Sequence, residues 1–288
     1  QCHLILLSLV LSRKTITLVL SLYPIPPRWS LSPLDQPNRL VGLDTLVPKY
    51  QPFLWVKKKN GTLVKNNPGP AVDVNLLPNV DFTIFEDDRF YRPMRGKVYR
   101  MLPIETHRGC PFTCTYCSNI GIAKVYDKAR FNIRQASPEY AIQELEETIK
   151  EYPTIGPVYK IYLTDDIFGL NKKWRREFLA LYRERIKIPF CCLLRCDVVT
   201  EDTMQDLAKG YCSRIQFGVE SGNDYIRNVV MDRAMPRETI VRAFKLADKY
   251  GVETSSLNVI GVPGETKEML MDTVKLNREI NPTANSGA

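Results

Sequence analysis

The chain has 288 residues, 44% of them hydrophobic, with 40 Lys/Arg against 32 Asp/Glu and a formal charge of +8. That leaves room for one large domain or two small ones, in the ordinary composition range of soluble globular proteins. The charge is concentrated: residues 1–65 carry nine basic and two acidic residues, the remainder 31 and 30. A nucleic-acid partner is therefore not expected for the body of the chain.

In chain order, the first feature is apolar but broken. Leu4 to Leu11 and Ile16 to Leu22 are separated by Arg13 and Lys14. Neither run reaches the about 20 apolar residues of a spanning helix, and a signal peptide carries its basic residues ahead of its apolar run. No membrane association is expected. Residues 23–52 hold seven prolines without periodicity, and residues 1–40 are read as poorly structured or foreign to the domain. Phe53 to Lys58 and Thr62 to Asn66 flank Asn60-Gly61 and read as a β-hairpin, with Asn-Gly supplying the positive φ angles of a type I′ turn. Asn67 to Asp81 is a linker rich in Pro, Asn and Asp. Phe82 to Lys97 is a mixed aromatic and charged connecting segment, so 41–97 forms a hairpin-and-linker region.

From residue 98, strands and helices alternate. Strand-like runs are Tyr99–Thr106, Val158–Leu163, Phe190–Leu194, Arg214–Val219 and Thr254–Ile260. Ser137-Pro138, Asn171, Thr200 and Pro236 open helices, Gly210 and Gly251 close two of them, and Glu265 to Ile280 reads as the fifth. Five strand–helix units in series imply a parallel sheet with helices outside, an α/β domain over 98–282 with a tail at 283–288.

Three cysteines, Cys110, Cys114 and Cys117, follow the first strand at C-x3-C-x2-C spacing. In β/α barrels that loop opens onto the functional face. Three thiolates hold three irons of a cubane 4Fe–4S cluster and leave the fourth iron open to a non-protein ligand. A structural zinc is the alternative, but it needs four protein ligands, usually as paired C-x2-C units, and one such unit is present. His107 precedes the first cysteine and reads as a packed or hydrogen-bonding residue. Cys191, Cys192 and Cys196 lie in or beside a buried strand. Such usage suits a reducing compartment, hence the cytoplasm.

Further polar groups close the other strands. Asp165 and Asp166 end the second, as ligand groups or as acidic residues opening the next helix. Arg195 closes the third, as a ligand group or a structural rim arginine. Glu220 and Ser221 close the fourth, suited to ribose hydroxyls or to capping a turn. Asn258-Val259-Ile260-Gly261-Val262-Pro263-Gly264 follows the fifth, where glycines let backbone approach a flat ring or a phosphate.

Together, Arg108-Gly109-Cys110-Pro111-Phe112-Thr113-Cys114-Thr115-Tyr116-Cys117, Asp165-Asp166-Ile167-Phe168, Phe217 to Gly222 and Ile260 to Thr266 resemble the radical S-adenosylmethionine (SAM) superfamily. Within it they look like the cobalamin-linked subclass, which includes the anaerobic magnesium-protoporphyrin IX monomethyl ester cyclase and several carbon methyltransferases. The resemblance implies a partial TIM-type (β/α) barrel with about five of its six units present. It implies a 4Fe–4S cluster on the three cysteines and SAM on the open iron. It places Tyr116, Asp165, Asp166, Arg195, Glu220, Ser221, Asn258, Ile260, Gly261 and Gly264 around SAM. The activity implied is generation of a 5′-deoxyadenosyl radical for C–H abstraction, leading to methyl transfer or oxidative cyclisation. The substrate is a small molecule the sequence does not name, and a one-electron reductant such as a flavodoxin or ferredoxin is required. The alternatives are a methylthiotransferase-like protein acting on RNA and a non-catalytic iron–sulfur or zinc protein. Relatives bind cobalamin, but this chain has no Asp-x-His-x-x-Gly and its histidines are His3 and His107 alone, so cobalamin is not supported for it. A start at Gln1 and a stop after the fifth helix read as a piece of a longer protein, with a sixth strand expected downstream and a cobalamin-type domain upstream.

Overall fold

The computed structural model describes residues 55–57, 60–66, 72–94, 96–125, 133–151 and 160–287. The expectations for residues 1–40 lie outside these. The chain divides into two compact units, Gln1–Ala71 and Val72–Ala288. In the first, β1 (Trp55–Lys57) pairs antiparallel with β2 (Leu63–Lys65). The predicted hairpin is there, but its turn is not type I′. Lys57 faces Leu63, a register one residue away from the one a two-residue Asn60-Gly61 turn would give. Gly61 has positive φ (86°), and Asn60 Oδ1 accepts a bond from Thr62 N–H at 3.0 Å.

In the second unit, residues 72–90 form short helical turns that lead into β3 (Tyr91–Met94), antiparallel to β4 (Lys97–Ile104). After β5 (His107–Arg108), α1 (Ser118–Val125), β6 (Arg134–Gln135) and α2 (Pro138–Glu151), the alternation runs strictly. It comprises β7 (Lys160–Leu163), α3 (Lys172–Arg185), β8 (Phe190–Arg195), α4 (Glu201–Lys209), β9 (Cys212–Glu220), α5 (Arg237–Lys249), β10 (Glu253–Asn258), α6 (Lys267–Ile280) and β11 (Ala284–Gly287). The sheet order is β11-β10-β9-β8-β7-β4-β3, all parallel except β3, and it curls into a half-barrel.

Side-chain caps open three of the helices, Asn171 and Thr200 where the sequence predicts them. Asn171 Oδ1 accepts from Trp174 N–H at 3.1 Å, and the Thr200 and Thr266 hydroxyls accept from Thr203 and Met269. One face of β4, β7, β8 and β9 packs on them: Ile104, Leu163, Leu194, Phe217 and Val219 are buried with Ile142, Phe178, Ile240 and Phe244. At about 25 cal/mol per Å2 of apolar surface, this layer is the main force holding the barrel unit together.

The count of units needs correction. Within the expected tail, Ala284–Gly287 pairs with Ser255–Asn258 as a sixth parallel strand. Ala-Asn-Ser-Gly has no β-branched or aromatic residue to announce a strand. Polar bonds hold it instead, with Asn258 Nδ2 donating to Ser286 O at 3.1 Å and Thr254 N to Thr283 Oγ1 at 3.3 Å.

Candidate active site

Six parallel strands deliver their C-terminal ends to one rim. The cysteine loop leaves β4 there. Its base is closed by the two-residue ladder of β5 with β6. Its middle is bolted to the far side of the sheet: Thr115 N–H donates to Met231 O at 3.1 Å and Thr115 Oγ1 to Val230 O at 2.6 Å. Cys117 immediately precedes α1. Burial, with Asp166, Cys114 and Cys117 as neighbours, pushes the Cys110 thiol up.

Cys114 is the most enclosed of the three. Its Sγ accepts from Arg195 Nη1 at 3.1 Å and lies 3.8 Å from Arg233 Nη1. Arg233, on the loop after a π-helical turn at Ile226–Val230, was not anticipated from sequence. It also donates to Tyr116 Oη at 2.5 Å, Glu220 Oε1 at 3.3 Å and Gly218 O at 2.7 Å. Its buried Nε has no partner among the described residues. Burial pushes Glu220 up and Arg233 opposes that; burial also raises Tyr116. Glu220 sits at φ 66°, a left-handed backbone that costs a non-glycine residue roughly 1–2 kcal/mol. Such strain collects at functional sites.

The two aspartates separate. Asp165 is fully buried and accepts from Thr106 N–H at 2.6 Å, His107 N–H at 2.9 Å and Thr106 Oγ1–H at 2.8 Å. It ties β7 to the end of β4. Asp166 is exposed, and its Oδ2 accepts from Gly109 N–H at 3.2 Å and Asn119 Nδ2 at 3.1 Å, one on each side of the cysteine loop. Its Oδ1 is free among the described residues. His107 is buried, with Nε2 donating to Ile167 O and its ring against Phe168 and Trp174.

The remaining candidates divide the same way. Ser221 Oγ accepts from Asn223 N–H at 3.2 Å, inside the turn after β9. Beside it Gly222 packs on α6, where an added Cβ would stand 2.3 Å from Asp272 O. Asn258 is occupied with Ser256, Ser286 and Asn277. Arg195 is bidentate to Asp197 and also donates to Arg233 O. Ile260 is exposed, and Gly261 and Gly264 have open space where a Cβ would point. Glu265 Oε2 accepts from Gly261 N–H at 2.7 Å while its buried Oε1 has no partner among the described residues.

These residues fit a cluster and a SAM-like ligand. Thiolates suit iron–sulfur ligation, and two guanidiniums at Cys114 suit an anionic cluster. No three His, Cys, Asp or Glu side chains among the described residues gather at one ion-sized point, nor need they when each thiolate takes a different iron. Buried Arg233 Nε and Glu265 Oε1 are orphaned among the described residues, and Gly261 and Gly264 have open space beside them.

A half-barrel with three cysteines after its first parallel strand defines the catalytic domain of a radical enzyme built on SAM. Residues 104–276 match the Radical SAM superfamily, and the chain belongs to it. That superfamily binds a 4Fe–4S cluster and SAM. Over 227 residues the chain is 27% identical to an uncharacterized methyltransferase of Pyrococcus horikoshii, covering 78% of this chain and 46% of that one. It is 26% identical over 220 residues to the anaerobic magnesium-protoporphyrin IX monomethyl ester cyclase of Rubrivivax gelatinosus, covering 74% and 36%. The cobalamin-dependent S-adenosylmethionine radical enzyme OxsB, solved with aqua-cobalamin and S-adenosylmethionine, shares the fold at a TM-score of 0.62 and 18% identity, over 81% of this chain and 33% of that one. The chain thus spans less than half the length of these relatives. No helix among the described residues is long and apolar enough to cross a membrane.

Proposed function

We propose that Cys110, Cys114 and Cys117 ligate the 4Fe–4S cluster and that the rim beside them holds SAM. The observation that supports this most is the bolting of the cysteine loop to residues 230–233, which gathers Cys114, Tyr116, Arg195, Glu220 and Arg233 at one point. A cluster held by Cys110, Cys114 and Cys117, with SAM on the rim beside it, would supply radical chemistry for C–H abstraction.

The chain's own residues orient and enclose. Asp166 Oδ1 receives the SAM ammonium, while its Oδ2 keeps the cysteine loop in place. Glu220 accepts from the ribose hydroxyls, with Tyr116 and Arg233 fixing its carboxylate. Ile260, Gly261 and Gly264 form an apolar shelf for the adenine. Asp165, Ser221 and Asn258 support these groups from behind, and Arg195 serves Cys114.

The whole protein acts on a small molecule by methyl transfer or oxidative cyclisation. It takes its electron from a flavodoxin or ferredoxin and works in the cytoplasm without nucleic acid. The near-neutral body of the chain supports this reading. No residue of this chain is assigned to cobalamin.

Anaerobic reconstitution tests ligation. Cys110→Ala, Cys114→Ala and Cys117→Ala should each lose most of the bound iron, and Cys191→Ala should keep it. Iron lost in Cys191→Ala but kept in Cys114→Ala would reassign the ligands.

A further inference from the structure

The charges around the three thiols are uneven. Cys110 has the Asp166 carboxylate as a neighbour. Cys114 instead meets two buried guanidiniums, Arg195 at 3.1 Å and Arg233 at 3.8 Å. Arg195 is held firmly in that pose. Its Nε and Nη2 are bidentate to Asp197 at 3.0 and 2.8 Å, and Nη2 also reaches Arg233 O at 2.8 Å. The ring of Phe112, from the loop between Cys110 and Cys114, lies 3.8 Å from its guanidinium carbon. An ion pair with Asp197 would be complete with two of the three nitrogens. The third, Nη1, points at sulfur, and only the planar fork of an arginine reaches both sides at once.

We propose that Arg195 sets the reduction potential of the cluster, with Asp197 as its counterweight. This rests on the reading of Cys110, Cys114 and Cys117 as cluster ligands. Hydrogen bonds to ligand sulfur and nearby charge are among the determinants of iron–sulfur potentials. The couple adds one electron to the cluster and makes or breaks no bond. A fixed positive charge at the Cys114 sulfur, shielded from water, stabilises the added negative charge and raises the potential. Asp197, on the far side of the guanidinium, offsets part of that effect. Arg195 is thus a tuning residue for electron entry, acting through Cys114.

The test is a titration of the reconstituted chain with titanium(III) citrate, without SAM, following the reduced cluster by EPR. Arg195→Met should move the midpoint to a more negative potential than wild type. Asp197→Asn should move it to a more positive one, because the guanidinium is then uncompensated. Arg195→Lys should fall between wild type and Arg195→Met. A merely structural loosening would not produce shifts of opposite sign. Midpoints that stay unchanged, or that move the same way in Arg195→Met and Asp197→Asn, would overturn the proposal. Should Arg195→Met fail to hold iron, the sign of the Asp197→Asn shift decides alone. A wild-type chain that takes up no cluster would overturn the ligation reading beneath it, a failure visible before any potential is measured.

Discussion

Asp165 and Asp166 are adjacent in sequence and opposite in surroundings. The alternation of β7 runs on past its end: Leu163 and Asp165 are buried, Thr164 and Asp166 exposed. Read at period two, the sequence already carried the sorting of the pair. Asp165→Asn should lower stability by about 1–3 kcal/mol, since it leaves a buried donor of Thr106 or His107 poorly paired. A calorimetric Tm equal to wild type would contradict that. Asp166→Asn, whose amide oxygen can still accept from Gly109 N–H and Asn119 Nδ2, should leave iron content unchanged and weaken SAM binding by about 1.5–3 kcal/mol, the range for a hydrogen bond to a charged group. Equilibrium dialysis with labelled SAM reads it, and an unchanged Kd would return Asp166 to a purely structural role. Arg233 shows the opposite case. Nothing in the run Met231-Asp232-Arg233-Ala234 marks it, because its partners Cys114 and Tyr116 come from the cysteine loop and Glu220 from the end of β9, thirteen residues earlier. Only the positive φ angles of Asp232 (51°) and Ala234 (47°) flag the loop, and those are visible in three dimensions alone.

At the scale of elements, caps and apolar periodicity located the five helices after residue 137 and five of the six parallel strands. The elements that escaped are those held by neighbours. Ala284–Gly287 is a strand because β10 offers an edge, and Ile226–Val230 is a π-turn because buried Arg227 bonds Ser221 O at 2.8 Å and Met235 O at 2.7 Å around it. Local propensity does not encode either. Helix α2 carries a testable electrostatic feature. Burial, with Glu105 nearby, pushes Glu144 up to about 7, and Arg108 only partly opposes this. A carboxyl raised in the folded state binds its proton more tightly folded than unfolded, so its ionisation erodes stability as pH climbs from the ordinary glutamate range towards 7. Glu144→Gln removes the titration. Its Tm should exceed that of wild type at pH 8 and approach it near pH 5, where both side chains are neutral in the fold. A Tm difference independent of pH would show that Glu144 is ionised without penalty.

For the molecule as a whole, charge, cysteine spacing and strand order pointed to one reading, and the fold and family agree with it. The basic excess lies in the first 65 residues, while the barrel unit is close to neutral. Its rim is where the charge is organised, as buried arginines against Cys114 and carboxylates at Asp166 and Glu220. The central claim is that this rim holds a cluster and SAM in reactive contact. Release of 5′-deoxyadenosine from SAM by the reconstituted chain, reduced with titanium(III) citrate and followed by chromatography, tests it most directly. The account predicts 5′-deoxyadenosine from wild type and none above background from Cys114→Ala. A cluster-loaded, reduced wild-type chain that binds SAM yet forms no more 5′-deoxyadenosine than Cys114→Ala would contradict it.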